Sequence, residues 1–155
     1  MADVQPFRAI RYAMTAGNEV GLRIAPPYDV LSESDKASLL AADGNNIVAA
    51  DLPHTPPKSA GPAEVYQRAG QLLRRWLADG VLVREQVPAV YPYRQVFEHD
   101  GQRLVRRGFI ATVRAEQFRA SPAGIYPHEQ TFSAPKEDRL KLLKATLAQT
   151  LVVRL

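Results

Sequence analysis

Residues 125–145, IYPHEQTFSAPKEDRLKLLKA, concentrate side chains that can do chemistry. His128 and Glu129 are adjacent in a loop-like segment, and the hydroxyls of Thr131 and Ser133 follow. Histidine titrates near neutral pH and a neighbouring carboxylate tunes it, so this pair suits general acid–base catalysis. A HExxH zinc motif is excluded, because Phe132 stands where the second histidine belongs, and no metal site is expected. Pro135 then opens an amphipathic helix with Lys136, Glu137, Asp138 and Arg139 in its first turns. Unpaired N–H groups and the helix dipole favour an anion at such an end. Lys136 and Arg139, three residues apart, project to one side and with Thr131 form a candidate phosphate-binding set. Glu137 and Asp138 oppose it, since they would repel a phosphate. The plainer alternative is that the two cations neutralise those acids on a solvated surface. Glu137 and Lys141 form an i,i+4 pair suited to a solvated face.

A second polar segment precedes it by about a hundred residues. Pro26-Pro27 forces an extended backbone and holds Tyr28 and Asp29 on a stiff, irregular stretch. Asp29 is the third candidate catalytic residue, an acid at a pocket rim; its alternative is an Asx turn. Tyr28 is a candidate pocket wall, or simple aromatic packing. Two rigid polar loops make natural walls for one pocket, so residues 127–131 are expected close to Tyr28 and Asp29. His54 and His99, in a Pro-rich loop and a turn tip, receive no role.

The elements that must position these groups read as follows. A strand is expected over residues 5–13. Ser32, with Asp35 three residues on, caps a short helix that runs to about Ala42 and stops before Gly44. Residues 47–52 read as a short buried strand and the Pro-rich residues 53–62 as a loop. Pro62 starts a helix with Val65, Ala69, Leu72, Leu73, Trp76 and Leu77 on one face, ended by Gly80. A short strand at residues 81–83 precedes a hairpin, residues 89–98 and 102–113, around Asp100-Gly101. The helix from Pro135 to about Gln149 is expected to bury Leu140, Leu143 and Leu147, and residues 151–155 read as a last strand. The expected fold is α+β: a single domain over residues 1–155, with a mixed sheet, a central hairpin and three helices. A strand at the end of the sequence leads to the expectation of a longer natural protein, and of exposed apolar surface at residues 151–155.

The chain has 155 residues, 46% of them hydrophobic, enough for a packed core and too many for disorder. It contains no cysteine, which excludes disulfides, thiolate catalysis and cysteine-held zinc. No secretory leader or membrane-length apolar run is legible, so a cytoplasmic protein is expected. Its net charge of +4 suits anionic small molecules or nucleic acid without choosing between them. The arginines of the hairpin weigh against nucleic acid, because alternation puts Arg103 and Arg107 on one face and Arg106 on the other. A charged, solvated edge that resists aggregation is the simpler reading.

QPFRAIR near the N-terminus, APPYDVLS at residues 25–32, ADGVL at 78–82, YPYRQVF at 91–97, GFIATV at 108–113 and PHEQTFSAPKEDRLKLLKAT at 127–146 together resemble one family. It is the bacterial and archaeal family known as domain of unknown function 1015, and the resemblance covers nearly the whole chain in order. Family members are typically longer, so the chain resembles their N-terminal part. The remainder of such proteins carries an Asp-Gly-His-His-Arg segment similar to one in ParB-like free-serine kinases. The resemblance therefore implies part of a small-molecule-processing enzyme, a kinase-like phosphotransferase using ATP or ADP with magnesium on a small, phosphorylated or nucleotide-like substrate. It raises the weight of His128 and Glu129 as site residues. Two other classes remain: a non-catalytic ligand-binding or regulatory module, and a nucleic-acid-binding domain. A ligand-induced rise in melting temperature without turnover marks the first. Steeply salt-dependent DNA binding marks the second.

Overall fold

The computed structural model describes residues 2–14, 20–54, 60–118, 125–126 and 133–150. The class is α+β, as expected. Its strands pair as three separate two-stranded sheets rather than one mixed sheet among the described residues. The chain divides into two compact units. The described residues of one are 2–10, 84–118 and 125–126; those of the other are 11–14, 20–54, 60–83 and 133–150.

The first unit is built from β-structure. β1 (Val4–Gln5) pairs antiparallel with β6 (Thr112–Val113), and Phe7 bridges Ala89. The expected strand over residues 5–13 is thus broken: its middle turns away to let the Tyr91 hydroxyl donate to the Phe7 carbonyl and accept from the Ala9 N–H, both at 3.0 Å. β4 (Tyr91–His99) and β5 (Gln102–Ile110) form the hairpin. Asp100 and Gly101 have φ of 50° and 72°, the left-handed pair that a two-residue turn matching strand twist requires.

The second unit carries the helices. Here Arg11 and Tyr12 of β2 (Ile10–Tyr12) and Leu82 and Val83 of β3 (Leu82–Arg84) form a two-stranded sheet. Helix α1 (Glu33–Ala42) starts with the expected capping box: Ser32 accepts from the Asp35 N–H and Asp35 accepts from the Ser32 N–H. Residues 47–52, expected as a strand, instead form helix α2 (Val48–Asp51). A short apolar run does not choose between strand and helix by itself. The choice is made by buried Asn46, whose side-chain oxygen accepts from the Val48 N–H at 2.9 Å while its amide donates to the Leu22 and Ile24 carbonyls. Val48 and Leu52 pack with Leu31, Tyr28, Leu39 and Leu40. This extra helix makes four among the described residues where three were expected.

Helix α3 (Ala63–Ala78) buries Val65, Tyr66, Ala69, Gly70, Leu73 and Trp76. Gly80, at φ 73°, ends it as a left-handed C′ residue. Helix α4 (Ser133–Thr146) packs against α3. It begins two residues before Pro135, which therefore occupies the third helical position, where its missing N–H still has no intrahelical acceptor to lose. The buried face of α4 also differs from expectation. Leu140, Leu143 and Leu147 are exposed, while Asp138 and Leu142 are buried with Ala145 against Val65, Tyr66 and Ala69. Gly70 explains the choice. A Cβ there would lie 2.3 Å from the Ala145 carbonyl oxygen, so only glycine lets the two backbones approach along the 138–142–145 stripe.

Candidate functional site

Asp138 is an aspartate with no exposed surface, one helical turn before Leu142. A buried carboxylate is costly unless its oxygens are bonded. Every partner here is within hydrogen-bonding range. The Tyr66 hydroxyl donates to Oδ1 at 2.6 Å, and His54 Nε2 meets the same oxygen at 2.6 Å. Arg139 turns back along its own helix and gives Oδ2 its Nε, at 2.8 Å, and its Nη2. Burial pushes the Asp138 carboxyl up, but these three donors and the Arg139 charge outweigh it and hold the group below the usual carboxylate range. Asp138 is therefore ionised at neutral pH and can only accept. Nε2 of His54 is thus the donor in that contact.

Tyr66 is held from both sides, since its oxygen accepts from the Gly61 N–H at 2.7 Å while its proton goes to Asp138. Burial, followed by the bond to the Asp138 anion, pushes its phenol up to about 12. The His54 ring meets the Tyr66 ring edge-on at 5.8 Å. Gly61 is needed beside it, because a Cβ would come within 2.9 Å of the imidazole.

Arg139 extends the network. Its Nη1 donates to the Asp51 carbonyl at 2.8 Å and to Asp51 Oδ1 at 3.1 Å, and its guanidinium lies over the Tyr28 ring at 4.0 Å from the centroid. Tyr28 has its phenol raised by burial, against the opposing charge of Arg139. One arginine thus ties α4 to the end of α2 and to the turn at Tyr28–Val30. That turn is a single 3-10 helix where an irregular segment was expected. A small cavity of about 20 Å³ beside Arg139, Leu142 and Gln149 has room for about one water.

Of the residues singled out in the sequence, Tyr28 and Arg139 are brought into contact. Asp29 is exposed in the Tyr28 turn, and Lys136 is exposed on α4. His128, Glu129 and Thr131 lie outside the described residues, as do residues 151–155. The Glu137–Lys141 pair forms at 2.9 Å with both side chains exposed. Sequence reasoning passed over His54 and treated Asp138 only as an obstacle to phosphate. The available signal was a pair of glycines, Gly61 and Gly70, each marking a close approach. Among the described residues no three His, Asp or Glu side chains converge as metal ligands. No helix of the described residues is long and apolar enough to cross a membrane.

A family model described as "Protein of unknown function (DUF1015)" matches residues 4–155. The chain belongs to the DUF1015 family. No curated protein and no solved structure matches it significantly. The family description assigns no activity, so the functional reading of this DUF1015 chain rests on its own residues.

Proposed function

We propose that this chain is the N-terminal part of a cytoplasmic small-molecule-processing enzyme, a kinase-like phosphotransferase whose anionic substrate is handled by the second unit. The observation that carries the reading is the Asp138–His54–Arg139 arrangement. His54 is bonded through Nε2 to a buried anion, which orients its ring, and Nδ1 is the proposed base toward a substrate hydroxyl. Arg139 sits beside it on an aromatic platform, and exposed Lys136 lies one turn away as a point charge. His128, Glu129, Thr131 and Asp29 stay proposed as acid–base and hydroxyl groups of the same enzyme on their residue types alone. ATP or ADP is the phosphoryl donor or product in this reading. Magnesium arrives on the nucleotide, since that ion is commonly held by substrate phosphates with one or two carboxylates rather than by a full protein cage.

Support for a second reading comes from the same residues. Arg139 already engages Asp51 and Asp138, and Asp138 has no exposed surface, so the network also suits a rigid, non-catalytic ligand-binding module. Titration of the chain with magnesium–ATP, ADP and inorganic phosphate, read by calorimetry and by melting temperature, separates the two. Turnover lost in His54→Gln, with nucleotide binding weakened about tenfold or more in Lys136→Ala, is expected of the enzyme. Binding without turnover favours the module. No heat and no melting shift at about 1 mM ligand would end both readings.

A further inference from the structure

The hairpin presents a row of cations that the network around Asp138 does not use. β4 and β5 pair over nine consecutive positions, Tyr91↔Ile110 through His99↔Gln102, with no bulge. Among the described residues no further strand pairs with either outer edge. A nine-residue edge of this kind leaves alternate N–H and C=O groups open for another strand. Three of the hairpin's four arginines lie on β5: Arg103, Arg106 and Arg107. The register puts Arg103 and Arg107 on one face with Arg94, and Arg106 on the other, over the Phe97 ring at 5.6 Å. Arg94 and Arg107 are direct cross-strand neighbours, a like-charge pairing that disfavours the bare hairpin.

A ligand lying on one face of the ribbon would miss Arg106 or miss its neighbours. A strand added at the edge of β5 meets all three, because its side chains alternate between the same two faces. Leu104 and Val105, 37% and 45% exposed, sit between the arginines and would be covered by the same strand. We propose that the β5 edge is a docking site for an acidic extended segment of a protein partner, which adds to the hairpin as an antiparallel third strand. Arg106 and Arg107 face two successive acids of that segment, Val105 and Leu104 face two apolar residues, and Arg103 faces a third acid. The recognised pattern is acid, acid, apolar, apolar, acid. The backbone ladder supplies the adhesion and the arginines reject apolar strands, including a second copy of β5 itself.

The test uses the full chain and a fluorescein-labelled peptide with the core Glu-Glu-Val-Val-Glu, read by anisotropy and by amide shifts of β5. Binding that falls about tenfold or more in Arg103→Gln/Arg106→Gln/Arg107→Gln is expected, together with loss of binding when alternate peptide amides are N-methylated. Arg94→Gln, on the other strand, should leave it within about twofold, and circular dichroism checks that both variants keep their fold. Absence of binding at about 1 mM peptide would overturn the proposal. So would binding that survives N-methylation, or tighter binding of an oligothymidylate than of the peptide, which would assign the arginines to nucleic acid.

Discussion

Asp138 and the Arg94–Arg107 pair hold charge in opposite circumstances. Asp138 has no exposed surface, and donors from His54, Tyr66 and Arg139 fill both of its oxygens. Arg94 and Arg107 face each other on an exposed ribbon, and among the described residues no acid lies within ion-pair distance of either. The carboxylate is inseparable from the packing of α3 and α4, because removing it strands three donors in the interior. The arginines are separable from their fold, because water already solvates them. The Asp138 charge is therefore tied to the architecture of the helical unit whatever else it does, and charge on the hairpin is free for recognition.

The strongest way to break this contrast is to delete each charge. Asp138→Ala should cost about 3–5 kcal/mol, the usual penalty for leaving a buried ionic partner uncompensated. Arg107→Ala should fall within about 0.5 kcal/mol of the parent, or stabilise it slightly by relieving repulsion. Urea unfolding followed by Trp76 reads the helical unit, since this is the chain's single tryptophan and it is buried on α3 beside the Tyr12 ring. Equal costs for the two variants would show that the hairpin arginines are structural after all.

Two glycines sharpen the comparison. A Cβ at Gly70 meets backbone, the Ala145 oxygen at 2.3 Å; at Gly108 it meets the Tyr93 ring at 2.6 Å. Backbone in a helix–helix contact cannot move alone, whereas Tyr93 is 40% exposed and can rotate away. Gly70→Ala gains about 1 kcal/mol of helix propensity but loses more to overpacking, so a net cost of about 1–2 kcal/mol is expected. Gly108→Ala should change stability by less than about 1 kcal/mol in thermal or urea unfolding. A neutral Gly70→Ala would mean that α4 can slide on α3.

Titration divides the molecule the same way. The Asp138 carboxyl is held below its ordinary value in the folded state, so its stabilising contribution is complete above the unfolded carboxylate range, about pH 4, and is lost as pH falls through the lower folded value. Asp43, bonded by Arg23 at 2.8 Å, and Asp35, bonded by Ser32, are lowered too and lose stability in the same direction. The difference between parent and Asp138→Asn isolates the buried acid: the variant should be less stable at neutral pH and lose less on acidification. At the alkaline end, burial raises Tyr12 and Tyr66 to about 12 each, so their contribution is full below about pH 10 and lost between about pH 10 and 12. Phenolate absorbance should show a late titration near pH 12, and Tyr66→Phe should reduce its amplitude. Absence of any late phenolate step, or a late step unchanged in Tyr66→Phe, would contradict the burial of Tyr66.

Local signals made much of the fold legible. Ser32 with Asp35, Asp100-Gly101 and Gly80 each fix a boundary through backbone chemistry that needs only neighbours in sequence. The errors fell where a distant partner decided. Residues 47–52 became helical because Asn46 reaches back to Leu22 and Ile24, and α4 buried its mixed stripe because Gly70 lies on α3. Three leucines at helical spacing outweigh one aspartate in any periodicity count, so Leu140, Leu143 and Leu147 were assigned inward. An acid with three donors waiting overturns that count. At the candidate site, the sequence indicated Tyr28 as a pocket wall and Arg139 as a phosphate ligand, and the two meet instead as a cation over a ring at 4.0 Å. His54 was not indicated, since Gly61 marks a close approach in its loop without naming the carboxylate 84 residues away.

The smallest expected effect tests the hairpin alone. Asp100 adopts φ 50° and Gly101 φ 72°, so the turn requires two successive left-handed residues. Glycine does this without cost, and asparagine does it more readily than any other residue with a Cβ, which is why Asn-Gly leads in such turns. Asp100 is also 89% exposed at its side chain and among the described residues pairs only with His99, at 3.6 Å, so its charge contributes little that a neutral amide would lose. Asp100→Asn should therefore stabilise the hairpin by a few tenths of a kcal/mol, about 0.2–0.5. Hydrogen exchange of the β4–β5 amides measures it as slower opening confined to residues 91–110. Slowing that also reached α3 and α4 would show that the ribbon and the helical unit unfold as one cooperative body, and the contrast between Asp138 and the hairpin arginines would then have to be redrawn as two faces of one stability.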